Sequence, residues 1–424
     1  MQFKPTESYN VIVIGGGTSG LMAAINAAQN GARVLIVEKN RQLGRKLLLT
    51  GGTRCNVTNR TTREDLIDHI PGNGKFLYGP LNQFDQEDII EFFESRGVQL
   101  KEEDHGRMFP VTDRSKTILD TLVNELEQYD VTIKLKEHVV DIVYDMDKRQ
   151  VLGVRTSNGM YGANAVVLAI GGKAYPKTGT TGDGYRFARI AGHTITSLYA
   201  TEVPLTSDDQ HIKDRFMQGV PLRDVEVTVW DDQDKAIVKH NLDMIFTHFG
   251  YSGPAILRSS GHVNLFMRDT GAEICYLSID LIPEISEEEW KLKAETNRDK
   301  QLKTLLKMWM PERMGELICR QLNLDPSSLY KQLVHSEVNQ LIKKIKYFNI
   351  TASGSLPIEK GYVTGGGVDT NEVNPKTMES KLMSNLFFCG EVLDINGYTG
   401  GYNITAAFVT GRIAGQNAAW QGFS

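Results

Sequence analysis

Apolar positions near the start of the chain follow two different periods. Residues 11–14 form a continuous apolar run, which is typical of a buried strand. Over residues 18–30 the apolar side chains recur at helical spacing, and Gly31 follows as a residue suited to ending a helix. Residues 33–37 form a second apolar run, which ends at Glu38. This order predicts a strand, a helix and a second strand packed as one β-α-β unit.

The same periodicities predict further elements up to about residue 195. One segment between them, residues 43–59, is rich in Gly, Lys and Arg and predicts an irregular loop. Asp183 is expected to cap a helix that runs to Ala191. The remaining predicted elements are helices over residues 86–97 and 115–129 and strands over residues 131–144, 150–156 and 165–170.

The pattern changes after about residue 195. Antiparallel strands are predicted where residues alternate with a period of two, namely over residues 222–230, 235–240 and 273–280. A helical, charge-rich stretch follows, and the Gly-rich buried-strand pattern then returns. We predict an α/β fold with a Rossmann-type domain of residues 1–194 and 351–424, interrupted by an antiparallel β-subdomain of residues 195–285 with a closing strand near 345–352 and by a small helical insert of residues 286–344.

Composition narrows the class of protein. The formal net charge of −5 argues against nucleic-acid binding over the whole surface, although a local basic patch stays open. The four cysteines are widely spaced and form no CxxC pair, which excludes the usual zinc patterns and indicates reduced thiols. No run reaches the roughly 18 apolar residues that a membrane helix needs. We expect a cytoplasmic protein with no membrane or metal partner.

A glycine fingerprint lies between the first strand and the first helix. Gly15, Gly17 and Gly20 form G-x-G-x-x-G, in which the glycines allow a tight turn, a close approach of a pyrophosphate and close packing of helix on strand. The helix N-terminus offers unpaired N–H groups to the phosphates. Glu38 ends the second strand, where its carboxylate can accept hydrogen bonds from ribose hydroxyls. This spacing predicts a dinucleotide site.

The C-terminal segment favours FAD over NAD as the bound dinucleotide. Residues 385–391 form a buried strand ending at Gly390 and Glu391, and Gly400 and Gly401 then precede a helix of small residues. This order resembles flavoproteins with two dinucleotide-binding domains. The resemblance implies an acid near the ribityl and pyrophosphate groups and a helix N-terminus aimed at the flavin N1–C2=O edge. Such a terminus stabilises negative charge on the reduced flavin.

Residues 44–59, GRKLLLTGGTRCNVTN, carry a more specific resemblance. They resemble the signature loop of the bacterial NAD(FAD)-utilising dehydrogenases, also called aminoacetone-oxidase-like FAD-binding flavoproteins, which include the bile-acid-inducible flavoprotein. Thr53 departs from the family, in which glycine is commoner there. Because a β-branched residue disfavours positive φ, we expect a slightly different loop. The family's other motifs match, in order along nearly the whole chain, residues 178–184, 246–254, 363–368, 376–380 and 400–403.

The family resemblance implies a glutathione-reductase-like FAD-binding domain interrupted by a β-barrel-like and a helical insert. The stretch TGDG at residues 181–184 also resembles fumarate-reductase-type flavoproteins. Those proteins carry a His- and Arg-rich substrate domain for dicarboxylates, and this sequence has no equivalent set. We therefore favour the first family.

The predicted FAD site combines the glycine turn, the signature loop and the C-terminal motifs. Arg45, Lys46 and Arg54 are expected to neutralise the pyrophosphate or a substrate anion. Residues 364–367 are expected to bring backbone N–H groups beside the flavin pyrimidine. The predicted FAD-binding residues are Gly15, Gly17, Thr18, Ser19, Gly20, Glu38, Lys39, Lys46, Gly51, Gly52, Arg54, Cys55, Asn56, Val139, Val140, Ala169, Gly171, Gly172, Asp183, Gly366, Gly367, Gly390, Glu391, Gly400, Gly401, Tyr402, Asn403 and Ile404.

Three residues are candidates for the chemistry beside the flavin. Cys55 is either a proton donor or redox thiol with a lowered pKa, or a small packing residue. Arg107 either anchors an anion over the flavin or lies in an exposed hairpin turn. His248 is either an acid or a structural histidine.

We predict an FAD-dependent oxidoreductase that transfers hydride between flavin N5 and a small organic substrate. No second G-x-G-x-x-G is present, so NAD(P)H would dock only transiently as electron donor. One alternative, implied by the family resemblance, is a reductase of uridine in ribosomal RNA. The basic tract of Lys343, Lys344 and Lys346 would then contact RNA, or else it is a solvated helix face. A second alternative is a non-catalytic flavin-binding sensor.

Overall fold

The computed structural model describes residues 4–422, which form two compact units. The first unit comprises the described residues up to Leu198 and from Val363 onward, and the second is Tyr199–Tyr362. The strands are β1 (Glu7–Ile14), β2 (Val34–Glu38), β3 (Thr58–Asn59), β4 (Leu100–Glu103), β5 (Arg107–Pro110), β6 (Thr132–Leu135), β7 (Val139–Asp145), β8 (Gln150–Thr156), β9 (Met160–Leu168), β10 (Tyr199–Thr201), β11 (Leu205–Thr206), β12 (Pro221–Trp230), β13 (Ala236–Phe246), β14 (Gly250–Ser252), β15 (Cys275–Asp280), β16 (Phe348–Ala352), β17 (Gly354–Ser355), β18 (Val363–Gly365) and β19 (Leu386–Phe388). The α-helices are α1 (Thr18–Gln29), α2 (Arg63–Asp68), α3 (Tyr78–Leu81), α4 (Gln86–Glu94), α5 (Ser115–Gln128), α6 (Asp183–Ile190), α7 (Gln210–Lys213), α8 (Pro254–Thr270), α9 (Glu287–Glu295), α10 (Leu302–Leu306), α11 (Glu312–Leu322), α12 (His335–Lys346) and α13 (Tyr402–Gln421).

The first unit is built on a twisted sheet with the order β6-β2-β1-β9-β8-β7. Strands β6, β2, β1 and β9 run parallel, β19 pairs in parallel with β9, and β8 and β7 are antiparallel. Residues 11–14 of β1 and the whole of β2 are buried, as expected for parallel strands covered on both faces. The predicted β-α-β unit is therefore confirmed, and the fold is a mixed α/β fold with a Rossmann-type domain.

Helices α1 and α13 pack together at backbone distance. A Cβ atom placed on Gly411 would lie 2.3 Å from the carbonyl oxygen of Ser19, and one on Gly415 would lie 2.0 Å from that of Ala23. Only glycine permits this approach, because real Cβ contacts do not become so short. Since residue numbers rise together in both pairs, the two helices run parallel. The spacing of these glycines thus fixes one helix against the other.

The second unit contains a seven-stranded sheet with the order β16-β15-β12-β13-β14-β11-β17. Its central pairs are antiparallel, as the alternating segments predict. Buried side chains of the sheet, such as Val227, form one hydrophobic core with Trp290 of α9 and Ile345 of α12. The helices of residues 286–344 therefore share their core with the sheet.

Three local predictions need correction. Residues 131–144 form two strands, because Lys136 has a φ of 56° and breaks the extended chain between β6 and β7. Asp183 is the first residue of α6, and Gly182, with a φ of 81°, is its N-cap. Residues 43–59 are only partly irregular, since they include a 3-10 helix at Leu47–Thr53 and the strand β3.

Candidate functional site

Two glycines of the fingerprint, Gly20 and Gly17, have different surroundings. A Cβ atom on Gly20 would lie 1.9 Å from the carbonyl oxygen of Gly15, so Gly20 is needed where α1 meets β1. A Cβ atom on Gly17 would meet no described atom within 4 Å. Gly17 is also the N-cap of α1 and supplies no side-chain cap to this helix. The N-terminus of α1 therefore faces open space, as a pyrophosphate site requires.

Glu38 lies beside this helix N-terminus with only 8% of its surface exposed. One carboxylate oxygen accepts the Gly16 N–H at 2.8 Å, and the other accepts the backbone and side-chain N–H groups of Asn40 at 2.7 and 2.6 Å. Arg45 donates to the Asn40 side-chain oxygen at 2.7 Å. Arg45 therefore supports the acidic residue through Asn40, which the sequence analysis missed because Asn40 belongs to no motif.

The N-terminus of α13, like those of α3, α5 and α6, also lacks a side-chain cap. Its N-cap, Gly401, makes no side-chain capping bond within residues 4–422. The hydroxyls of Thr58 and Thr405 lie 2.7 Å apart, and the side-chain amide of Asn59 donates to the carbonyl oxygen of Gly400 at 3.0 Å. These bonds join the end of the signature loop to the start of α13.

The two uncapped helix ends are staggered along a common direction. Gly411 lies beside Ser19, so α13 begins nine residues before this contact and α1 begins one residue before it. At 1.5 Å per residue, the N-terminus of α13 lies about 12 Å beyond that of α1. An extended ribityl chain with its phosphate bridges a gap of this order. These two positive helix ends are thus offset along one direction in the first unit.

Lys46 and Glu391 form an ion pair of 2.6 Å. The second oxygen of Glu391 accepts the Thr364 N–H at 2.8 Å, and the Gly367 N–H donates to the Thr196 hydroxyl at 2.9 Å. The N–H groups of Thr364 and Gly367 therefore already have acceptors within the protein. The charge of Lys46 is likewise matched by Glu391 rather than left for an anion.

Gly366 and Gly367 have packing reasons of their own. Cβ atoms at these positions would lie 2.4 Å from the Ser197 carbonyl oxygen and 2.7 Å from backbone atoms of Val392 and Leu393. The backbone around β18 is thus pressed between two neighbouring segments. Two other predicted site residues, Lys39 and Asp183, form an ion pair of 2.8 Å.

Four further predicted residues lie at the end of β9 or at the start of β7, two strands of the sheet that contains β1. Ala169 follows β9 and donates its N–H to the Ile14 carbonyl oxygen at 2.9 Å. A Cβ atom on Gly172 would lie 2.4 Å from the Thr364 hydroxyl, so this glycine permits a close contact between distant segments. Val139 and Val140 begin β7.

Arg54 and Arg107 are both held by nearby carboxylates and by one aromatic ring. Arg54 pairs with Glu103 at 2.7 Å and with Asp113 at 3.4 Å, and Arg107 pairs with Asp104. Their guanidinium carbons lie 4.0 and 5.6 Å from the centre of the Phe109 ring. This arrangement favours a structural role for Arg54, since its charge is already matched. Sequence analysis missed its carboxylate partners, which lie about 50 and 60 residues further along the chain.

Cys55 is fully buried beside this cluster, and burial raises the pKa of its thiol to about 12. A raised pKa disfavours the thiolate, so the structure favours the packing role over a reactive thiol. Burial also raises the pKa values of Cys275, Cys319 and Cys389, to between about 11 and about 12.

We therefore expect the folded protein to show no thiol that reacts with Ellman's reagent at pH 8. With a pKa near 12, only about one thiol in 10⁴ is ionised at that pH, and access is blocked as well. The measurement is the absorbance change over time, and the same protein in denaturant, where all four cysteines should react, is the control. Rapid titration of one thiol in the native state would show that Cys55 or another cysteine is reactive.

Thr53 keeps the left-handed conformation despite its β-branched side chain. Its φ is 73°, next to Gly52 with a φ of 66°. Threonine in place of the family's commoner glycine therefore strains the backbone here, since the left-handed conformation costs an L-residue about 1–2 kcal/mol. The loop keeps a glycine-like backbone at Thr53.

Thr53→Gly is expected to stabilise the protein by about 1 kcal/mol, after the larger entropy loss of glycine on folding is subtracted. This corresponds to a rise of roughly 2–4 °C in melting temperature, measured by calorimetry. Gly52→Ala is the matched control, because its Cβ would meet no described atom and only the positive φ would penalise it. It should lower the stability by a similar amount. If Thr53→Gly left the melting temperature unchanged, the loop would hold Thr53 without backbone strain.

His248 and the basic tract lie in the second unit. His248 is exposed on the turn between β13 and β14, with its ring edge-on to Phe249. Lys346 pairs with Asp280 at 2.6 Å and donates to two backbone carbonyls. Lys344 is half-buried, and burial lowers its pKa. Of the three lysines, Lys343 is exposed, Lys344 is partly buried and Lys346 is held by Asp280, so the three side chains do not share one solvated environment.

Within residues 4–422, no group of three or more His, Cys, Asp or Glu side chains is placed to hold a metal ion. In the same part of the chain, no helix has the length and apolar character that crossing a membrane demands.

Known proteins resemble this chain over nearly its full length. A family model described as HI0933-like protein Rossmann domain matches residues 9–417. A ribosomal RNA dihydrouridine synthase of Escherichia coli is 31% identical over 97% of this chain and 98% of its own, and a 3-dehydro-bile acid delta(4,6)-reductase of Clostridium scindens is 30% identical over 96% and 98%. The structure of a 3-ketosteroid delta1-dehydrogenase from Sterolibacterium denitrificans superposes with a TM-score of 0.53 at 13% identity, covering 98% of this chain and 100% of that one, which shows the fold alone.

Proposed function

The chain belongs to the HI0933-like Rossmann-domain family of FAD-binding oxidoreductases, and from this we propose that it is a flavin-dependent reductase of carbon–carbon double bonds conjugated to a carbonyl group. The substrate would gain a hydride at the carbon β to the carbonyl and a proton at the α carbon. NAD(P)H would lose the hydride and would dock only transiently.

The activities for which two relatives are named support this substrate class. Dihydrouridine is uridine whose ring double bond, conjugated to a carbonyl, has gained two hydrogens. A delta(4,6)-reductase of 3-dehydro bile acids acts on double bonds conjugated to a 3-oxo group. The two substrates differ greatly in size and shape. What they share is an electron-poor double bond that accepts hydride.

The pair of staggered, uncapped helix ends is the observation that carries this proposal. Bound FAD supplies the redox chemistry, since it takes up a hydride and releases it at N5. The N-terminus of α13 would stabilise the negative charge that reduction leaves on the pyrimidine ring. Glu38, held by the Gly16 and Asn40 N–H groups, would accept hydrogen bonds from the adenosine ribose.

We propose that one of the three candidate residues, Cys55, Arg107 and His248, donates the proton to the substrate. Burial raises the pKa of the Cys55 thiol to about 12, which disfavours release of its proton, and Arg107 is already paired with Asp104. His248 is the remaining candidate and is exposed on its turn. We also propose that the protein is cytoplasmic and that its chain divides into a Rossmann-type domain and two inserts.

Uridine in ribosomal RNA is the second candidate substrate, favoured by the dihydrouridine synthase names of two relatives. Reduction of the bound flavin by NADH or NADPH separates an enzyme from the sensor alternative. Mass spectrometry of ribosomal-RNA nucleosides from a deletion strain then separates the substrates. Loss of dihydrouridine, restored by the intact gene, supports RNA, whereas unchanged dihydrouridine favours a small unsaturated ketone. A flavin that neither nucleotide reduces, and that no unsaturated substrate reoxidises after chemical reduction, would contradict the reductase.

A further inference from the structure

We propose that Ser380, His193 and Glu372 form a pH-sensitive lock on the segment by which the chain leaves the first unit. The lock holds while the His193 ring is neutral, and it opens when the ring takes up a proton. The contacts that form it lie within the protein, so the lock is independent of the proposed reduction.

The three side chains are joined in a row by hydrogen bonds. Nε2 of His193 lies 2.7 Å from the Ser380 hydroxyl oxygen, and Nδ1 lies 3.2 Å from a carboxylate oxygen of Glu372. The histidine side chain is fully buried, and Ser380 is only 7% exposed. A catalytic triad of the same residue types needs a serine hydroxyl that a substrate can reach. The burial of Ser380 therefore favours a structural role for this row.

The Ser380 hydroxyl determines the protonation state of the histidine. Its oxygen accepts the backbone N–H groups of Leu382 and Met383 at 3.0 and 2.9 Å. Because a hydroxyl oxygen has two lone pairs, both are in use, and the hydroxyl hydrogen is donated to His193. Nε2 is then the acceptor and carries no hydrogen, whereas Nδ1 carries the hydrogen that Glu372 accepts. Only the neutral imidazole fits these hydrogen bonds.

Burial acts in the same direction. It lowers the pKa of His193 from the ordinary value of 6.5, and this effect outweighs the opposite effect of the Glu372 and Asp369 carboxylates. These two carboxylates are the charged groups that act on the ring. Ala188 of α6 accepts the backbone N–H of the histidine, and the Phe388 ring of β19 lies edge-on to the imidazole at 4.7 Å, and neither side chain titrates. The surroundings thus oppose a charged ring.

The lock anchors residues 194–197. Glu372 accepts both the backbone N–H and the hydroxyl of Thr194 at 2.8 Å, so the carboxylate holds the histidine and the next residue together. The segment then pairs antiparallel with residues 366–369 through backbone hydrogen bonds of 2.9 and 3.0 Å. The chain leaves the first unit after Leu198. Opening of the lock would therefore free the start of this segment.

Acid is expected to favour the open form. In the open form the histidine regains its ordinary pKa of about 6.5, whereas the closed form holds the pKa lower. The closed form is therefore fully favoured above pH 6.5 and loses stability as the pH falls below that value. Between pH 7.5 and pH 5.5 the open fraction should rise by about 3- to 10-fold.

The test is amide hydrogen exchange of the full-length protein at pH 7.5 and pH 5.5, measured by mass spectrometry and corrected for the intrinsic effect of pH on exchange. In the wild type, residues 194–197 should lose about 3- to 10-fold of their protection at the lower pH. Gln has no group that titrates in this range, so the protection in His193→Gln should differ by less than about twofold between the two pH values. Ser380→Ala should raise the pKa of His193, measured by NMR, because Nε2 then has no hydroxyl hydrogen to accept.

His211→Gln is the matched control. His211 is also a buried histidine whose pKa burial lowers, but it lies in the second unit, where it contacts the Tyr251 hydroxyl at 3.2 Å. This variant should leave the pH response of residues 194–197 as in the wild type. Protection that is independent of pH in the wild type, or that falls equally in His193→Gln, would overturn the inference. A pKa of His193 that Ser380→Ala leaves unchanged would overturn it as well.

Discussion

Gly17→Val is expected to weaken FAD binding at least about 100-fold, or about 2.7 kcal/mol, while the apoprotein remains folded. Gly17 has a φ of −83°, which valine adopts readily, and its Cβ would enter open space in front of α1. That space is where the pyrophosphate must approach the helix N-terminus. The measurements are the dissociation constant for FAD and the melting temperature of the apoprotein, whose stability should fall by less than about 1 kcal/mol.

Gly20→Val is the matched comparison within the same turn. Its Cβ would lie 1.9 Å from the Gly15 carbonyl oxygen, so it should prevent stable folding of the first unit rather than only binding. If Gly17→Val bound FAD as the wild type does, the pyrophosphate would not lie at this helix end.

Gly415→Val is expected to destabilise the protein by at least about 3 kcal/mol, because its Cβ would overlap the Ala23 carbonyl oxygen of α1. The melting temperature should fall by roughly 6–12 °C. Any protein that still folds should bind FAD more weakly, because α13 would move away from α1 and alter the stagger of the two helix ends. Calorimetry of the apoprotein and titration with FAD measure the two effects.

Gln416→Val controls for the loss of helix propensity that valine brings. Gln416 is the next residue of the same helix and is partly exposed, so its change should cost less than about 1 kcal/mol. Equal melting temperatures for the two variants would mean that α1 and α13 do not pack through Gly415.

Elements that depend on local periodicity were the predictable part of the fold. The β-α-β unit at the start of the chain has apolar runs, a helical period and Gly31 as a stop, and the structure confirms all three. Asp183 misled because acidic residues also occur in the first helical turn, where they favour the helix dipole. The break at Lys136 carried no signal, because lysine rarely adopts a positive φ.

Contacts between distant segments were the part that the sequence could not reveal. Lys46 and Glu391 are 345 positions apart, and each alone looks like a cofactor ligand. The carboxylates that hold Arg54 and the glycines that join α13 to α1 are also defined only by the folded chain. The glycine turn and the signature loop were predicted as sites from sequence motifs alone.

Reoxidation of the reduced flavin by an unsaturated carbonyl compound tests most directly whether this chain is a reductase of conjugated double bonds. The holoprotein is reduced without oxygen, mixed with a 3-oxo-4,6-diene steroid acid or with uridine-containing ribosomal RNA, and followed by flavin absorbance and product mass. We predict that at least one of the two restores the oxidised flavin spectrum and gains two hydrogen atoms. A flavin that stays reduced with both, and is reoxidised only by oxygen, would contradict the proposed function.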